Sequence, residues 1–260
     1  MRISFCIITR NEEKNVPELL ANLAPVADEI LIVDSGSTDK TVELARNGKA
    51  RVLEHPWTDY TTQKNYALQE ALHSWVFVLD ADERLSPTLS EEIEGIKRTF
   101  PQEEGPEGVD GFRTNRLAHY WGRPIRHSGW YPDRKVRLFR RGTGAFTGKH
   151  VHEGFSFRGR LSDTLRGDLL HYPYQDLAAH LAKINLYSGL GALRLRDEGK
   201  TFSLRRLLLH PPTRFFRHYL WKRGFLDGFR GLLIAALSSY YVFIREVRLW
   251  ELENGEGSSR

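Results

Sequence analysis

The sequence predicts an α/β protein in which a mostly parallel sheet carries helices on both faces and is followed by a helical region. In the first hundred residues, short apolar runs rich in β-branched residues alternate with stretches whose leucines have helical spacing. Near-continuous apolar strands between helices are typical of a parallel sheet that is buried on both faces. The chain of 260 residues is long enough for one large core with a smaller appendage.

The predicted elements of the first half follow one another in a regular order. The predicted strands are 3–9, 29–34, 51–54 and 75–80, and the predicted helices are 11–24, 39–46 and 61–73. In such sheets, ligands bind beyond the carboxyl ends of the strands. Polar residues follow three of these ends, in the segments 9–12, 34–39 and 80–83.

The second half has a different composition. Residues 101–108, PQEEGPEG, are rich in Pro, Gly and acids and predict a loop. Residues 111–159 are dense in Arg, aromatic residues and Gly, with short strand-like pieces such as KVRLF. Apolar residues at three- and four-residue spacing then predict helices at 176–198 and 203–251. Two prolines predict a break in the second helix at 210–212, because proline interrupts helical hydrogen bonding.

The cysteine content and the apolar runs of the sequence indicate in which cellular compartment the protein works. The net charge of +5 is mild, and the single cysteine, Cys6, lies in an apolar run, so neither an intramolecular disulfide nor a zinc cluster is expected. The first apolar stretch, 3–8, is too short for a secretory signal. The longest apolar run, 231–244, is also shorter than the ~20 residues of a membrane-spanning helix. We therefore expect a cytoplasmic protein.

Several acids follow the fourth predicted strand. Asp80, Asp82 and Glu83 lie within four positions. Two carboxylates one residue apart can face the same crevice, and Mg²⁺ and Mn²⁺ prefer such oxygens. Taken alone, the pattern also fits a solvated turn before a helix that starts near Ser86. Together with Asp34 at the end of another strand, it predicts a site for a nucleotide diphosphate and a divalent cation.

Four segments of the first ninety residues together resemble the family 2 glycosyltransferases, which have the GT-A fold. These segments are FCIITRNEE, ILIVDSGSTDKT, QKNYALQEALHSW and VFVLDADERLSP. The resemblance implies a nucleotide-sugar donor, a UDP-sugar, with Mg²⁺ or Mn²⁺ as cofactor. One departure is Ser35, where many members carry a second aspartate, and this leaves the identity of the nucleotide open.

The same resemblance implies roles for individual residues. Asp34 would contact the base, and Asp80 and Asp82 would form the metal-binding pair. Asp39 has a structural alternative as a helix N-cap, which we favour over ligand contact, and Asn65 has one as a bridge between loops. The full set expected at the donor site is Thr9, Asn11, Glu12, Asp34, Lys64, Asn65 and Asp80.

Three later segments are similar to a narrower group, the lipopolysaccharide inner-core β-1,4-glucosyltransferases. These segments are WYPDRKVRLFRR, KHVHEG and GFLDGFRGLLIA. The similarity implies inverting transfer of a sugar, glucose, to a lipid-linked saccharide acceptor. We expect a catalytic domain at 1–172, with a nucleotide-sugar half at 1–98 and an acceptor half at 110–172. A helical, membrane-associating region would follow at 173–252, and a disordered tail at 253–260.

The segment VHEG contains the predicted catalytic base. Inversion at an anomeric carbon needs a base for the acceptor hydroxyl and an electrophile for the departing diphosphate. Glu153 is suited to the first role, because a carboxylate before a flexible glycine can reach into a crevice. His152 is a candidate ligand for metal or phosphate. An ordinary exposed His-Glu turn would show the same pattern.

Side chains of the middle segment are suited to sugar recognition. Trp130 and Tyr131 could stack on the apolar face of a pyranose while Asp133 binds its hydroxyls. Arg137, with Arg140, could face anionic sugars. The alternatives are core packing for Trp130 and a solvated strand edge for the two arginines.

The segment 203–226 predicts contact with an anionic membrane surface. It contains six Arg or Lys and two His with no acid, interleaved with leucines and aromatic residues. We expect a peripheral protein on the cytoplasmic face of the inner membrane. A helix packed on the catalytic domain, with a solvated basic face, would have the same pattern.

Two other functions fit parts of the sequence. A sugar nucleotidyltransferase would share the α/β architecture and the metal, but no glycine-rich phosphate loop follows the first strand. A nucleic-acid-binding module could use the basic C-terminal half, but no recognised module is present and the acidic strand ends argue against it. No nucleic acid partner is therefore expected.

Overall fold

A computed structural model describes residues 1–100, 105–148 and 154–255 of the chain. The strands are β1 Ile3–Thr9, β2 Glu29–Asp34, β3 Arg51–Glu54, β4 Trp75–Val78, β5 Glu83–Leu85, β6 Gly111–Tyr120, β7 Arg123–Pro124, β8 Asp133–Arg140, β9 Gly144–Thr147, β10 Gly154–Phe157 and β11 Leu161–Tyr174. The helices are α1 Val16–Leu23, α2 Thr41–Asn47, α3 Tyr60–Glu70, α4 Pro87–Thr99, α5 Leu177–Asp197, α6 Leu204–Phe216 and α7 Gly228–Asn254. The expected disordered tail lies outside the described residues from position 256 on, whereas 253 and 254 end α7.

The chain forms two compact units. Unit 1 consists of Met1–Arg116 and Asp133–His171, and unit 2 consists of Leu117–Pro132 and the residues from Tyr172 onward. The domain limits expected from the sequence stay predictions.

The main sheet has the strand order β3-β2-β1-β4-β8-β6-β11-β5. The first four strands of the chain are parallel, with β1 between β2 and β4. β8 then pairs antiparallel with β4, and β5 pairs antiparallel with β11. The parallel strands therefore come from the first half of the chain, and the middle segment extends the sheet.

Both faces of the parallel strands are covered, as the near-continuous apolar runs predict. Neighbouring side chains of a strand point to opposite faces. Phe5 of β1 belongs to a buried cluster with Leu19 of α1 and Ile93 of α4. Cys6, the next residue, belongs to a second cluster with Ala67 of α3. The α/β class is thereby confirmed.

Local signals in the sequence set the starts of two helices near the acidic turn. The Asp59 carboxylate accepts a hydrogen bond from the Thr62 backbone N–H (2.7 Å) and caps α3. The Ser86 hydroxyl accepts one from the Leu89 backbone N–H (3.2 Å) and caps α4, with Pro87 in the first helical position. The helix predicted to start near Ser86 is confirmed.

In unit 2, α6 continues through Pro211 and Pro212, so the predicted break there is wrong. Thr213 donates from its hydroxyl to two carbonyls of the preceding turn (2.8 and 2.9 Å). Ser239 of α7 donates to the Pro211 carbonyl (2.7 Å). These bonds hold the helix at the prolines and tie it to α7, although the Leu207 and Leu208 carbonyls lose the helical donors that the prolines lack. The interruption comes later, at Arg223, whose backbone is left-handed with φ +53°.

Unit 2 also has its own small core and a buried carboxylate. Tyr120, Ile125 and Ile234 are buried together. Glu246 of α7 is 1 % exposed and accepts hydrogen bonds from the Ser203 backbone N–H and the Arg206 guanidinium (3.0 Å each), which ties the start of α6 to α7. In the described part of the chain, none of the helices is both long and apolar enough to cross a bilayer.

Candidate active site

The carboxyl ends of β1 and β2 are joined by a buried carboxylate. Thr9 and Asp34 are partners in the strand register, and the Thr9 hydroxyl donates to Asp34 Oδ2 (2.8 Å). Asp34 also accepts from the backbone N–H groups of Gly36 (3.0 Å) and Ser37 (2.8 Å) and from the Ser37 hydroxyl (2.6 Å). Four donors thus hold this carboxylate, which is 1 % exposed. It fixes the turn beyond β2, and its contact with a base stays a prediction.

Asn11 and Glu12 connect the turn beyond β1 to the turn beyond β2. Asn11 has a left-handed backbone (φ +56°), which asparagine adopts more readily than most residues. Its side chain accepts from the Thr38 backbone N–H (2.9 Å), and its own N–H donates to the Ser37 hydroxyl (2.8 Å). The Glu12 N–H donates to the Thr41 hydroxyl (2.7 Å). The two turns therefore form one rigid rim.

Asp39 lies in the same rim, beside the start of α2. Its carboxylate accepts from the backbone N–H groups of Thr41 (3.0 Å) and Glu13 (3.2 Å). Lys40 occupies the N-cap position itself. Burial raises the pKa of Asp39, but the Thr41 hydroxyl and these N–H groups outweigh it and lower the pKa. Asp39 is therefore not the N-cap itself, as we had expected, but it stabilises the first turn of α2 from the position before the cap.

Two neighbouring residues of α3 point to different partners. Lys64 is 5 % exposed, and its Nζ lies 3.0 Å from Asp80 Oδ1. The Asn65 amide donates to the Phe146 carbonyl and accepts from the Phe146 N–H (2.9 Å each). Asn65 therefore bridges to β9, the structural alternative considered for it. Lys64 contacts the acidic turn.

The three acids of the turn beyond β4 have three different environments. Glu83 has no exposure, and its carboxylate accepts from the Arg137 guanidinium (2.8 Å) and the Asp80 N–H (2.9 Å). Arg116 lies 3.5 Å from the same carboxylate. The Asp80 side chain is 31 % exposed and the Asp82 side chain 24 %. One acid is therefore internal, and two face outward.

Nearby cations keep Asp80 ionised. Burial by itself raises the pKa of Asp80, but Lys64 and Arg137 outweigh burial and hold the pKa well below its usual range. For Glu83, burial is the largest effect and raises the pKa, Arg137 opposes the rise, and Asp80 adds to it. The turn thus presents a fixed negative charge at Asp80.

Asp82 lies next to a histidine that the sequence reasoning missed. His171 Nε2 is 3.4 Å from Asp82 Oδ2, and the ring is mostly buried. His171 is paired with Glu83 in the register of β11 and β5. Only this antiparallel pairing brings the two residues together, and no local pattern in the sequence announces it.

Arg84, which the sequence reasoning also missed, fixes the backbone of the acidic turn beyond β4. Arg84 is 3 % exposed and donates to the carbonyls of Ala81 (2.7 Å), Glu83 (2.8 Å) and Asn15 (2.8 Å). A guanidinium has five donors in a rigid fork, so it can fix several carbonyls at once. The positions of Asp80 and Asp82 therefore depend on a buried arginine between them and α1.

Two residues expected at the acceptor have protein partners in unit 1. Asp133 accepts from the Arg116 guanidinium (2.8 and 2.9 Å) and lies 3.0 Å from Lys135 Nζ. Burial raises the pKa of Asp133, but Arg116 and Lys135 outweigh it and lower the pKa. Arg137 is 7 % exposed and is paired with Glu83. Acceptor contact stays a prediction for both Asp133 and Arg137.

Trp130 and Tyr131 belong to unit 2. The Trp130 ring lies edge-on to Tyr120, with ring centres 6.0 Å apart, and lines a pocket together with Tyr174. The Tyr131 ring lies 5.5 Å from the Arg126 guanidinium. Trp130 is partly buried against the core of unit 2, so packing and ligand contact are both open to it.

Comparison with known proteins identifies the family. Residues 4–153 match the family described as Glycosyl transferase family 2. The chain belongs to this family. The lipopolysaccharide core biosynthesis glycosyltransferase LpsC of Rhizobium meliloti (strain 1021) is 30 % identical over 255 residues, which cover 96 % of this chain and 92 % of LpsC. The uncharacterized glycosyltransferase RT0209 of Rickettsia typhi is 29 % identical, covering 96 % of this chain and 87 % of that protein.

A solved structure has the same fold. The mannosyltransferase PcManGT from Pyrobaculum calidifontis, in complex with GDP-Man and Mn²⁺, gives a TM-score of 0.54 at 14 % identity over 96 % of this chain and 87 % of its own. The GT-A fold expected from the four N-terminal segments is thus confirmed. The chain is a family 2 glycosyltransferase with a C-terminal helical region.

Two residues predicted for this glycosyltransferase, His152 and Glu153, lie outside the described residues. Within the described residues, no group of three or more His, Cys, Asp or Glu side chains has the arrangement of a metal-binding site. Asp82 and His171 offer an oxygen and a nitrogen side by side. Mg²⁺ and Mn²⁺ take only one or two side chains when substrate phosphate and water supply the rest, so Asp82 suits either ion, while the imidazole of His171 suits Mn²⁺ better.

Proposed function

We propose that this family 2 glycosyltransferase transfers glucose from a UDP-sugar to a lipid-linked saccharide of the lipopolysaccharide core, with inversion and with a divalent cation. The observation that carries the proposal is the pairing of Asp82 with His171 (3.4 Å) beside the ionised Asp80, beyond the carboxyl end of β4. The full-length similarity to LpsC supports the lipopolysaccharide acceptor.

The acidic turn would receive the donor diphosphate. Asp82 and His171 would hold the cation, which when bound offsets the negative charge that develops on the departing diphosphate. An imidazole ligand suits Mn²⁺ better than Mg²⁺, because Mg²⁺ favours oxygen ligands. Lys64 and Arg84 position the turn through Asp80 and the backbone carbonyls. Thr9, Asn11, Glu12 and Asp34 form the rim that would accept the nucleoside.

The proposed reaction is a single displacement. The acceptor hydroxyl oxygen forms a bond to the anomeric carbon while the bond from that carbon to the diphosphate oxygen breaks. Glu153 takes the hydroxyl proton as general base, and His152 contacts the cation or the diphosphate. Trp130 and Tyr131 stack on acceptor sugars, and Asp133 and Arg137 add polar contacts to the acceptor.

Unit 2 would dock on an anionic membrane, which would confine enzyme and acceptor to one surface. The exposed large apolar side chains between α6 and the start of α7 include Trp221, at 84 % exposure. Cations alternate with them, and the described helix α6 has no buried residue. The other exposed large apolar side chains of this surface are Leu204, Leu208, Leu209, Phe216, Leu220, Phe225, Leu226 and Phe229. Aromatic residues and leucines enter the headgroup boundary while cations face anionic lipid.

A product assay tests the function. The protein is incubated with UDP-glucose, UDP-galactose or GDP-mannose, with Mn²⁺ or Mg²⁺ and a lipopolysaccharide acceptor that lacks outer core sugars. Release of UDP and addition of one hexose, with UDP-glucose and Mn²⁺ most active, is the expected result. Release of pyrophosphate in a parallel incubation with a sugar phosphate and UTP would instead indicate a nucleotidyltransferase. Release of neither product from any donor would overturn the proposal.

A further inference from the structure

Unit 2 contains a pocket of about 240 Å³. Its aromatic walls include Trp130, Tyr174 and Tyr241, and its polar lining includes Lys183 of α5, Arg214 of α6 and Ser238 of α7. This volume is below the roughly 300–1,000 Å³ of pockets for drug-sized ligands, so it suits a single sugar ring. All of these residues belong to unit 2 and none to the acidic turn.

The charge in this pocket is positive. Lys183 Nζ donates to the Pro173 carbonyl (2.9 Å), which leaves two of its three donors. None of the described residues that line the pocket is acidic. Burial and Lys183 lower the pKa of His180 to about 4, so this histidine is neutral at pH 7.

Arg214 is the least satisfied of these groups. Its Nε is buried and has no hydrogen-bond partner among the described residues. Burial lowers the pKa of Arg214, and Arg217 and Arg245 add to the shift. A partly buried guanidinium beside other cations favours an anion that its N–H groups can reach. The pocket is therefore built for an anionic group.

The aromatic walls define the remainder of the ligand. Pyranose rings have an apolar face that stacks on aromatic side chains, and the hydroxyls of Ser238 and Tyr241 can bond sugar hydroxyls. We propose that this pocket binds one sugar ring that carries a phosphate or carboxylate group, with Arg214 and Lys183 on the anion. As a contact to the acceptor this rests on the proposed function, whereas the binding itself does not require transfer.

Calorimetric titration of the full-length protein tests the proposal. The probes are glucose 6-phosphate, glucuronic acid, glucose and inorganic phosphate. We expect one of the two anionic sugars to bind at least about tenfold more tightly than glucose or inorganic phosphate, in proportion to one charge-assisted hydrogen bond of ~1.5 kcal/mol. Arg214→Gln should remove this preference. Arg205→Gln, an exposed arginine on the same helix, should keep it.

Several results would overturn the proposal. These are binding of glucose or inorganic phosphate as tight as that of both anionic sugars, no binding of either anionic sugar, competition by UDP, and an unchanged preference in Arg214→Gln. If Arg214→Gln fails to fold by circular dichroism, Ser238→Leu, which fills the pocket, replaces it and should abolish binding. UDP release from UDP-glucose is measured separately, so failure of this pocket and failure of glycosyl transfer give different results.

Discussion

At Glu83 a carboxylate lies with no exposure inside the acidic turn, and its nearest cation is Arg137, 2.8 Å away. The pair explains why a buried strand leads into three acids. One of them neutralises an internal arginine, and its carboxylate also accepts the N–H of Asp80. The two outward acids thus rest on a buried ion pair.

Breaking this ion pair should destabilise the protein. In Arg137→Met, Glu83 loses its closest partner and remains buried, so the free energy of unfolding should fall by about 3 kcal/mol. Urea unfolding of the wild type, the two single variants and the double variant measures these free energies. The double variant Glu83→Gln with Arg137→Met should recover part of the loss, because no unpaired charge remains. Losses that simply add in the double variant would contradict this coupling.

Glu153 is the proposed base, so its neutral isostere should affect turnover more than binding. Glu153→Gln should lower kcat about a hundredfold or more, as expected for loss of general-base catalysis. The affinity for UDP, measured by calorimetry with Mn²⁺, should stay nearly the same. If UDP affinity collapses with kcat, Glu153 belongs to the donor site and another acid is the base.

At the scale of elements, α5 packs a neutral histidine against β6. The Tyr120 hydroxyl lies 2.9 Å from His180 Nδ1, and the His180 ring stacks on Tyr174 with ring centres 4.0 Å apart. Burial, with Lys183 nearby, lowers the pKa of His180 from 6.5 to about 4. The unfolded chain therefore binds more protons than the folded chain between these two values.

Stability should consequently depend on pH through His180. Its contribution is complete above pH 6.5 and is lost as the pH falls towards 4, by at most roughly 3 kcal/mol. His180→Gln does not titrate, so the stability difference between wild type and this variant should shrink over that window. Chemical unfolding at several pH values measures it. Parallel pH profiles for the two proteins would contradict the assignment.

The surface of α6 and the turn after it should bind anionic membranes. Changing the exposed Arg217, Lys222 and Arg223 to Glu should reduce partitioning into anionic liposomes, since each cation contributes about 1 kcal/mol near such a surface. Co-sedimentation measures it, and added salt should weaken wild-type binding. Equal partitioning to neutral and anionic liposomes, or to neither, would exclude electrostatic docking.

For the whole molecule, the sequence predicts those features that depend on local patterns. The strands β1 to β3 have the predicted bounds, because apolar runs and turn residues mark them directly. The continuation of α6 through Pro211 was not predictable, because Ser239, which bonds the Pro211 carbonyl, lies on another helix far along the sequence. His171 was missed at the site for a similar reason. It reaches Asp82 only through the pairing of β11 with β5.

The internal role of Glu83 also required the structure. From the sequence, Asp80 and Asp82 were expected to bind the metal and Glu83 had no assigned role. Arg137 was expected to face acceptor sugars. Long-range pairing of β8 with β4 brings Arg137 to the acidic turn, and burial then decides which acid it neutralises. Local composition carries no information on such a contact.

The most direct test of the account compares UDP release from UDP-glucose by the wild type, Asp82→Asn and His171→Gln over a range of Mn²⁺ concentrations. Asp163→Asn, an exposed carboxylate on β11, is the matched control. The account predicts no release with chelator, a Mn²⁺ requirement raised by about 10- to 100-fold in His171→Gln, and loss of activity in Asp82→Asn. Full activity with chelator present, or in Asp82→Asn, would contradict the central claim.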